Sequence, residues 1–143
     1  MAEVMTRKML GNRNDIQVSS AGLFALAGMR ASEHSIRTMA KEGVDLTMHR
    51  GRQLTKKMLD EADLVVVMTK DHKDTIARFT GARFTGQGMD KVFLLTAFDE
   101  DRAIRERDIA DPIAQPPEAY ERCLAQMKSP ITNLVLKLIQ GEI

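Results

Sequence analysis

Ala62-Asp63-Leu64-Val65-Val66-Val67-Met68-Thr69 is the stretch that decides the fold. Side chains of a strand alternate between two faces. This run is apolar on both, and a strand tolerates that only where helices cover each side of a parallel sheet. Asp71-His72-Lys73 follows and opens a helical stretch to Phe79. Working outward, Val92 to Leu95 gives a second strand and Ile16 to Ser20 a third. Helices are expected over 1–10, with Met1, Met5 and Met9 on one face, and over 33–42. Ser32 suits the start of the latter, Gly43 its end, and Ile36, Met39 and Ala40 its buried side. A short helix over 55–61 has Thr55 as its cap. The last helix runs from about Pro117 to Gln140, with Tyr120, Leu124, Met127, Ile131, Leu134, Val135 and Leu138 as its apolar stripe. Pro suits a first helical turn. Pro130 falls inside and predicts a kink or break, since an interior proline costs about 3 kcal/mol. Strands alternating with helices define an α/β three-layer sandwich with a parallel sheet.

Composition fits one domain, spanning 1–143, with a substantial core. Apolar residues make up 43% of the chain, charged residues 29%, and the net charge is +1. No clustered excess of Lys and Arg points to nucleic acid or to a membrane surface. The apolar runs are too short to span a bilayer. One cysteine, Cys123, excludes an intrachain disulfide framework and fits a cytoplasmic setting. His34, His49 and His72 are scattered without metal-ligand spacing, so no metal or cofactor is expected. The repeated Phe-Thr-Gly of residues 79–88 reads as a plain turn. The alternating acids and bases of 99–108 read as a solvated segment.

Near the C-terminus stands Asp108-Ile109-Ala110-Asp111-Pro112-Ile113-Ala114-Gln115-Pro116-Pro117. Pro112 biases the residue before it towards an extended backbone and so constrains the direction of the Asp111 carboxyl. An Asp held in this way just before a helix suits a general acid, and an Asp-Pro turn is the plain alternative. Five further stretches match in order: Met1-Ala2-Glu3; Ser19-Ser20-Ala21-Gly22; Gly43-Val44-Asp45; His49-Arg50-Gly51-Arg52-Gln53-Leu54-Thr55; and 62–69 with Asp71-His72-Lys73. With the Asp-Pro loop they resemble the low-molecular-weight protein tyrosine phosphatase family from residue 1 to about 138, and most closely its bacterial branch, which includes protein-arginine phosphatases.

The resemblance implies hydrolysis of phosphotyrosine or phosphoarginine in proteins through a cysteinyl-phosphate. A low-pKa thiolate attacks phosphorus, a loop of backbone N–H groups and an arginine hold the phosphoryl oxygens, and an Asp protonates the leaving group. Asp111 matches that Asp. Phe24 matches a loop that walls the substrate pocket, though a lone apolar residue there serves packing equally well. Ile113 and Ala114 stand where many relatives carry aromatic residues that stack on phosphotyrosine. Tyr120 reads as core. Arg50, Arg52, Lys56 and Lys57 read as a solvated face or as an attraction for phosphoproteins.

In the family a strand and a Cys-x5-Arg-Ser-Pro loop stand immediately before Met-Ala-Glu. Here Met1 is the first residue, and Cys123 precedes Leu124-Ala125-Gln126-Met127-Lys128-Ser129, which is not Cys-x5-Arg. The resemblance thus implies an N-terminally truncated domain, inactive as written, that lacks the first, interior strand of the sheet between 16–20 and 64–69. It implies either that the natural protein starts upstream or that something else fills the gap. The alternative is a non-catalytic remnant or partner-binding module. The related thiol-linked arsenate reductases, which relay electrons through several cysteines, fit a single cysteine poorly. The expected partner is a phosphorylated protein, with no nucleic acid or membrane; the oligomeric state is left open.

Overall fold

The computed structural model describes residues 1–80 and 89–143. Most of the Phe-Thr-Gly repeat, 81–88, lies outside them. The elements run α1 (Ala2–Leu10), α2 (Glu33–Lys41), α3 (Lys56–Glu61), β1 (Val65–Val67), α4 (Lys70–Phe79), β2 (Val92–Leu94), a 3-10 turn (Leu95–Phe98) and α5 (Pro117–Gln140). Among the described residues the sheet is a parallel pair, Val65, Val66 and Val67 facing Val92, Phe93 and Leu94. The α/β class and the parallel pairing match the reading of the sequence.

The apolar run of β1 divides between two cores, as a strand covered on both faces must. Leu64, Val66 and Met68 pack on the larger core, built around Met39, Leu46, Leu95, Leu124 and Ile131. Val65 and Val67 face the smaller one, with Leu59, Ile76, Val92 and Leu94. Helix starts are set by side-chain caps. Ser32 accepts from the Ser35 N–H at 3.2 Å and Thr55 from the Met58 N–H at 3.2 Å, as the sequence indicates. Thr69 does the same for His72 at 3.1 Å. Gly43 has φ 66° just past α2, the left-handed conformation that suits glycine there.

Several details differ. The inner face of α1 is Glu3, Met5, Thr6 and Leu10, and Met9 is 37% exposed. Each four-residue step at 3.6 per turn overshoots a full turn by about 40°, so Met9 stands about 80° round the helix from Met1 and rotates off the buried face. On α2, Met39 is buried and Ala40 is exposed, with Thr38 inside instead. α5 runs continuously through Pro130, which is itself fully buried beside Ile131. Burying large apolar side chains gains roughly 1.5–3 kcal/mol each, and α5 buries six of them around the proline, which outweighs the local cost. Tyr120 is core, 3% exposed, and its ring lies 5.3 Å from that of His34.

Residues 16–20 form no ladder among the described residues. Ile16 and Val18 turn inward onto the larger core, with strand-like alternation. The carbonyl of Val18 accepts from the Arg7 guanidinium and that of Ser20 from Arg52 Nε at 3.2 Å. Arginine side chains, and not a backbone ladder, engage these two carbonyls.

Candidate active site

The Asp-Pro loop is held where β1 ends and α4 begins. The Ile109 N–H donates to the Met68 carbonyl at 2.9 Å, just past β1. Asp108 Oδ1 accepts the Lys70 N–H at 2.8 Å, at the first residue of α4. Thr96 Oγ1 donates to the Arg107 carbonyl at 2.8 Å. Beyond these anchors Asp111 lies exposed, and its Oδ1 accepts the Ile113 N–H at 2.9 Å. This is the turn by which an Asp side chain holds its own backbone. Gln115 N–H closes a second turn onto the Pro112 carbonyl at 2.9 Å, and α5 follows with Pro117 in its first turn.

Asp111 and Ile113 thus share one turn, and Ile113 is 69% exposed. Phe24 sits on a separate loop and is 89% exposed, so it is not a packing residue in this chain. That loop is tied to residues 51–54. Gly22 N–H donates to the Arg52 carbonyl at 2.8 Å, Leu54 N–H to the Gly22 carbonyl at 2.9 Å, and Gly28 N–H to the Gly51 carbonyl at 2.9 Å. Among the described residues no hydrogen bond joins the Phe24 loop to the Asp111 loop.

Between α1 and this second loop lies a polar cluster that sequence reading missed. The Glu3 side chain is 7% exposed and pairs with Arg7 at 2.9 Å. It also accepts from the Ser20 hydroxyl and lies 3.8 Å from His49 Nδ1. A buried carboxylate requires such partners. The signal was in the quoted motifs, since Glu3, Ser20 and His49 each belong to one. A cavity of about 530 Å³ lined by Arg7, Leu10, Arg13, Ile16, Val18 and Arg52, among others, lies on this side and contains none of Asp111, Ile113 and Phe24.

Cys123 is buried in α5, 7% exposed. Burial pushes its thiol above the ordinary range, and the negative charge of Asp111 pushes the same way. It is therefore a neutral thiol at neutral pH, the opposite of an activated nucleophile. Among the described residues no group of three or more His, Cys, Asp or Glu is placed to hold a metal ion, and no helix is long and apolar enough to cross a membrane.

An α/β frame with an exposed Asp-Pro loop ahead of its last helix is consistent with a class of phosphatases, and comparison with known proteins bears out that class. Residues 1–142 match the model of the low molecular weight phosphotyrosine protein phosphatase family, and the chain belongs to that family. It is 35% identical over 137 residues to a protein-arginine-phosphatase of Geobacillus stearothermophilus, covering 94% of this chain and 86% of that one. It is 33% identical over 128 residues to the probable low molecular weight protein-tyrosine-phosphatase EpsP of Ralstonia nicotianae, covering 90% and 79%. The solved structure of the YwlE arginine phosphatase from Geobacillus stearothermophilus superposes with a TM-score of 0.82 at 32% identity, over 99% of this chain and 84% of that chain.

Proposed function

We propose that residues 1–143 form a single phosphatase-like domain. Working with a Cys-x5-Arg phosphate loop of the family's kind, it hydrolyses phosphotyrosine or phosphoarginine in proteins. The thiolate of that loop attacks phosphorus and the bond to the leaving oxygen or nitrogen breaks. Asp111 gives that atom a proton, then takes one from the water that cleaves the cysteinyl-phosphate. The observation that carries this reading is the anchored turn that presents Asp111 to solvent beside Ile113. Ile113 and Phe24, both exposed, supply apolar walls for the substrate side chain. Ile113 offers no ring to stack on phosphotyrosine, so tyrosine selectivity has no support at that position.

On the same reading the 143 residues alone do not turn over substrate. They contain no Cys-x5-Arg, and their one cysteine is buried and neutral. The test is a pair of proteins, the chain as given and a chimera with a strand and a Cys-x5-Arg-Ser loop placed before Met1. The chimera is expected to hydrolyse p-nitrophenyl phosphate and the chain as given is not. Phosphotyrosine and phosphoarginine peptides then rank the substrates. Turnover by the 143-residue chain that survives Cys123→Ser overturns this assignment.

A further inference from the structure

The three residues that lead into the acid turn are each held by a different part of the fold. Arg107 is held through its carbonyl by Thr96, which is 2% exposed. Ile109 is held through its N–H by the end of β1, with its side chain 3% exposed. Asp108, between them, is held through its carboxylate by the N–H of Lys70. That N–H belongs to the first turn of a helix and has no acceptor within it. Of the three anchors, only the one at Asp108 uses a side chain of the acid loop itself.

The segment so held is bracketed by left-handed backbone at non-glycine residues, φ 68° at Glu106 and 59° at Ala114. Such conformations cost of order 1–3 kcal/mol and persist where the surroundings over-determine them. We propose that Asp108 is a positioning residue for the reaction. By bridging the acid loop to the first turn of α4, it fixes the direction in which Asp111, three residues on, presents its carboxyl. This rests on the reading of Asp111 as the acid and adds to it the residue that aims it. A helix-capping role alone would leave the Asp111 side chain indifferent to residue 108.

The test is made by NMR on the 143-residue chain, comparing wild type with Asp108→Ala and Asp108→Asn. Loss of one hydrogen bond is expected to speed exchange of the Lys70 amide about five- to tenfold in Asp108→Ala. In that variant the three-bond couplings that report χ1 of Asp111 should move from one rotamer to an average of several, and the Ile113 amide should lose protection. Asp108→Asn keeps an acceptor oxygen and should behave as wild type in all three. A single unchanged Asp111 rotamer in Asp108→Ala overturns the proposal. Should Asp108→Ala not fold, Asp108→Glu takes its place. It displaces the acceptor by one methylene and should also broaden the Asp111 rotamer distribution, and an unchanged rotamer there overturns the proposal equally. None of these readouts depends on turnover, so a failed phosphatase assay and a failed positioning test are separate results.

Discussion

Asp111 Oδ1 accepts the backbone N–H of Ile113 at 2.9 Å, so the candidate acid and the exposed apolar residue beside it are set by one turn. The same geometry holds one carboxylate oxygen against the backbone, and among the described residues the other has no hydrogen-bond partner. An Asp-Pro pair favours this arrangement because Pro112 keeps Asp111 extended while the Asx turn closes over it.

In the chimera bearing a Cys-x5-Arg-Ser loop, Asp111→Ala should lower turnover of a substrate with a poor leaving group by about 10²–10⁴-fold, the usual contribution of a general acid. Substrates whose leaving group departs without a proton should lose much less in the first step. Steady-state rates across phenyl phosphates of graded leaving-group acidity check this. A uniform loss across the series would indicate a collapsed loop.

Cys123 gives a pH dependence with a definite sign. Its folded thiol is raised above the unfolded value, first by burial and then by the charge of Asp111. Folding therefore favours the protonated form. The resulting stability is fully present below the unfolded thiol pKa and is lost as pH rises through the folded pKa. Urea melts at rising alkaline pH should show wild type losing stability relative to Cys123→Ala, and the two should differ by a constant amount at neutral pH and below. Reaction of the native thiol with a disulfide reagent at pH 7 should be slow and limited by opening of the fold.

Ser20→Ala should destabilise the chain by about 1–3 kcal/mol, because the buried Glu3 carboxylate loses a hydroxyl donor. Ser20→Thr keeps the donor and should recover part of the loss. Chemical denaturation midpoints decide between this and a surface role for Ser20, in which the change would stay within about 0.5 kcal/mol.

Much of the fold is legible in the sequence because the signals are local. The apolar run of 64–68 reports its own burial on two sides, and Ser32 and Thr55 cap the helices they precede. The signals that fail depend on partners distant in the chain. Asp108 falls in a stretch of alternating charge that reads as solvated, and only the fold brings Lys70 to it, 38 residues away. Glu3, Ser20 and His49 lie on three separate segments, so no spacing rule joins them. Pro130 breaks the helical pattern by local propensity, and packing beneath it restores the helix. Asp111 and Ile113 are legible together because their relationship spans two residues.

The 16–20 segment carries the last prediction. In an extended strand the N–H and C=O of one residue point to the same edge. On the edge of Val18, Ser20 and Gly22 the three carbonyls accept from Arg7, from Arg52 and from the Leu54 N–H, and the Gly22 N–H donates to the Arg52 carbonyl. On the opposite edge, Gln17, Ser19 and Ala21 have no backbone hydrogen bond among the described residues. An open edge of this kind is a template for another strand. The 143-residue chain should therefore associate as its concentration rises, or unfold at low temperature. Ser19→Pro deletes a donor on the open edge only, where an edge strand tolerates proline, so it should suppress association without loss of fold. Sedimentation velocity over a hundredfold concentration range, with thermal melts alongside, measures both. A monomer at every concentration with a cooperative, ordinary melting transition would show that the open edge is already satisfied within the chain.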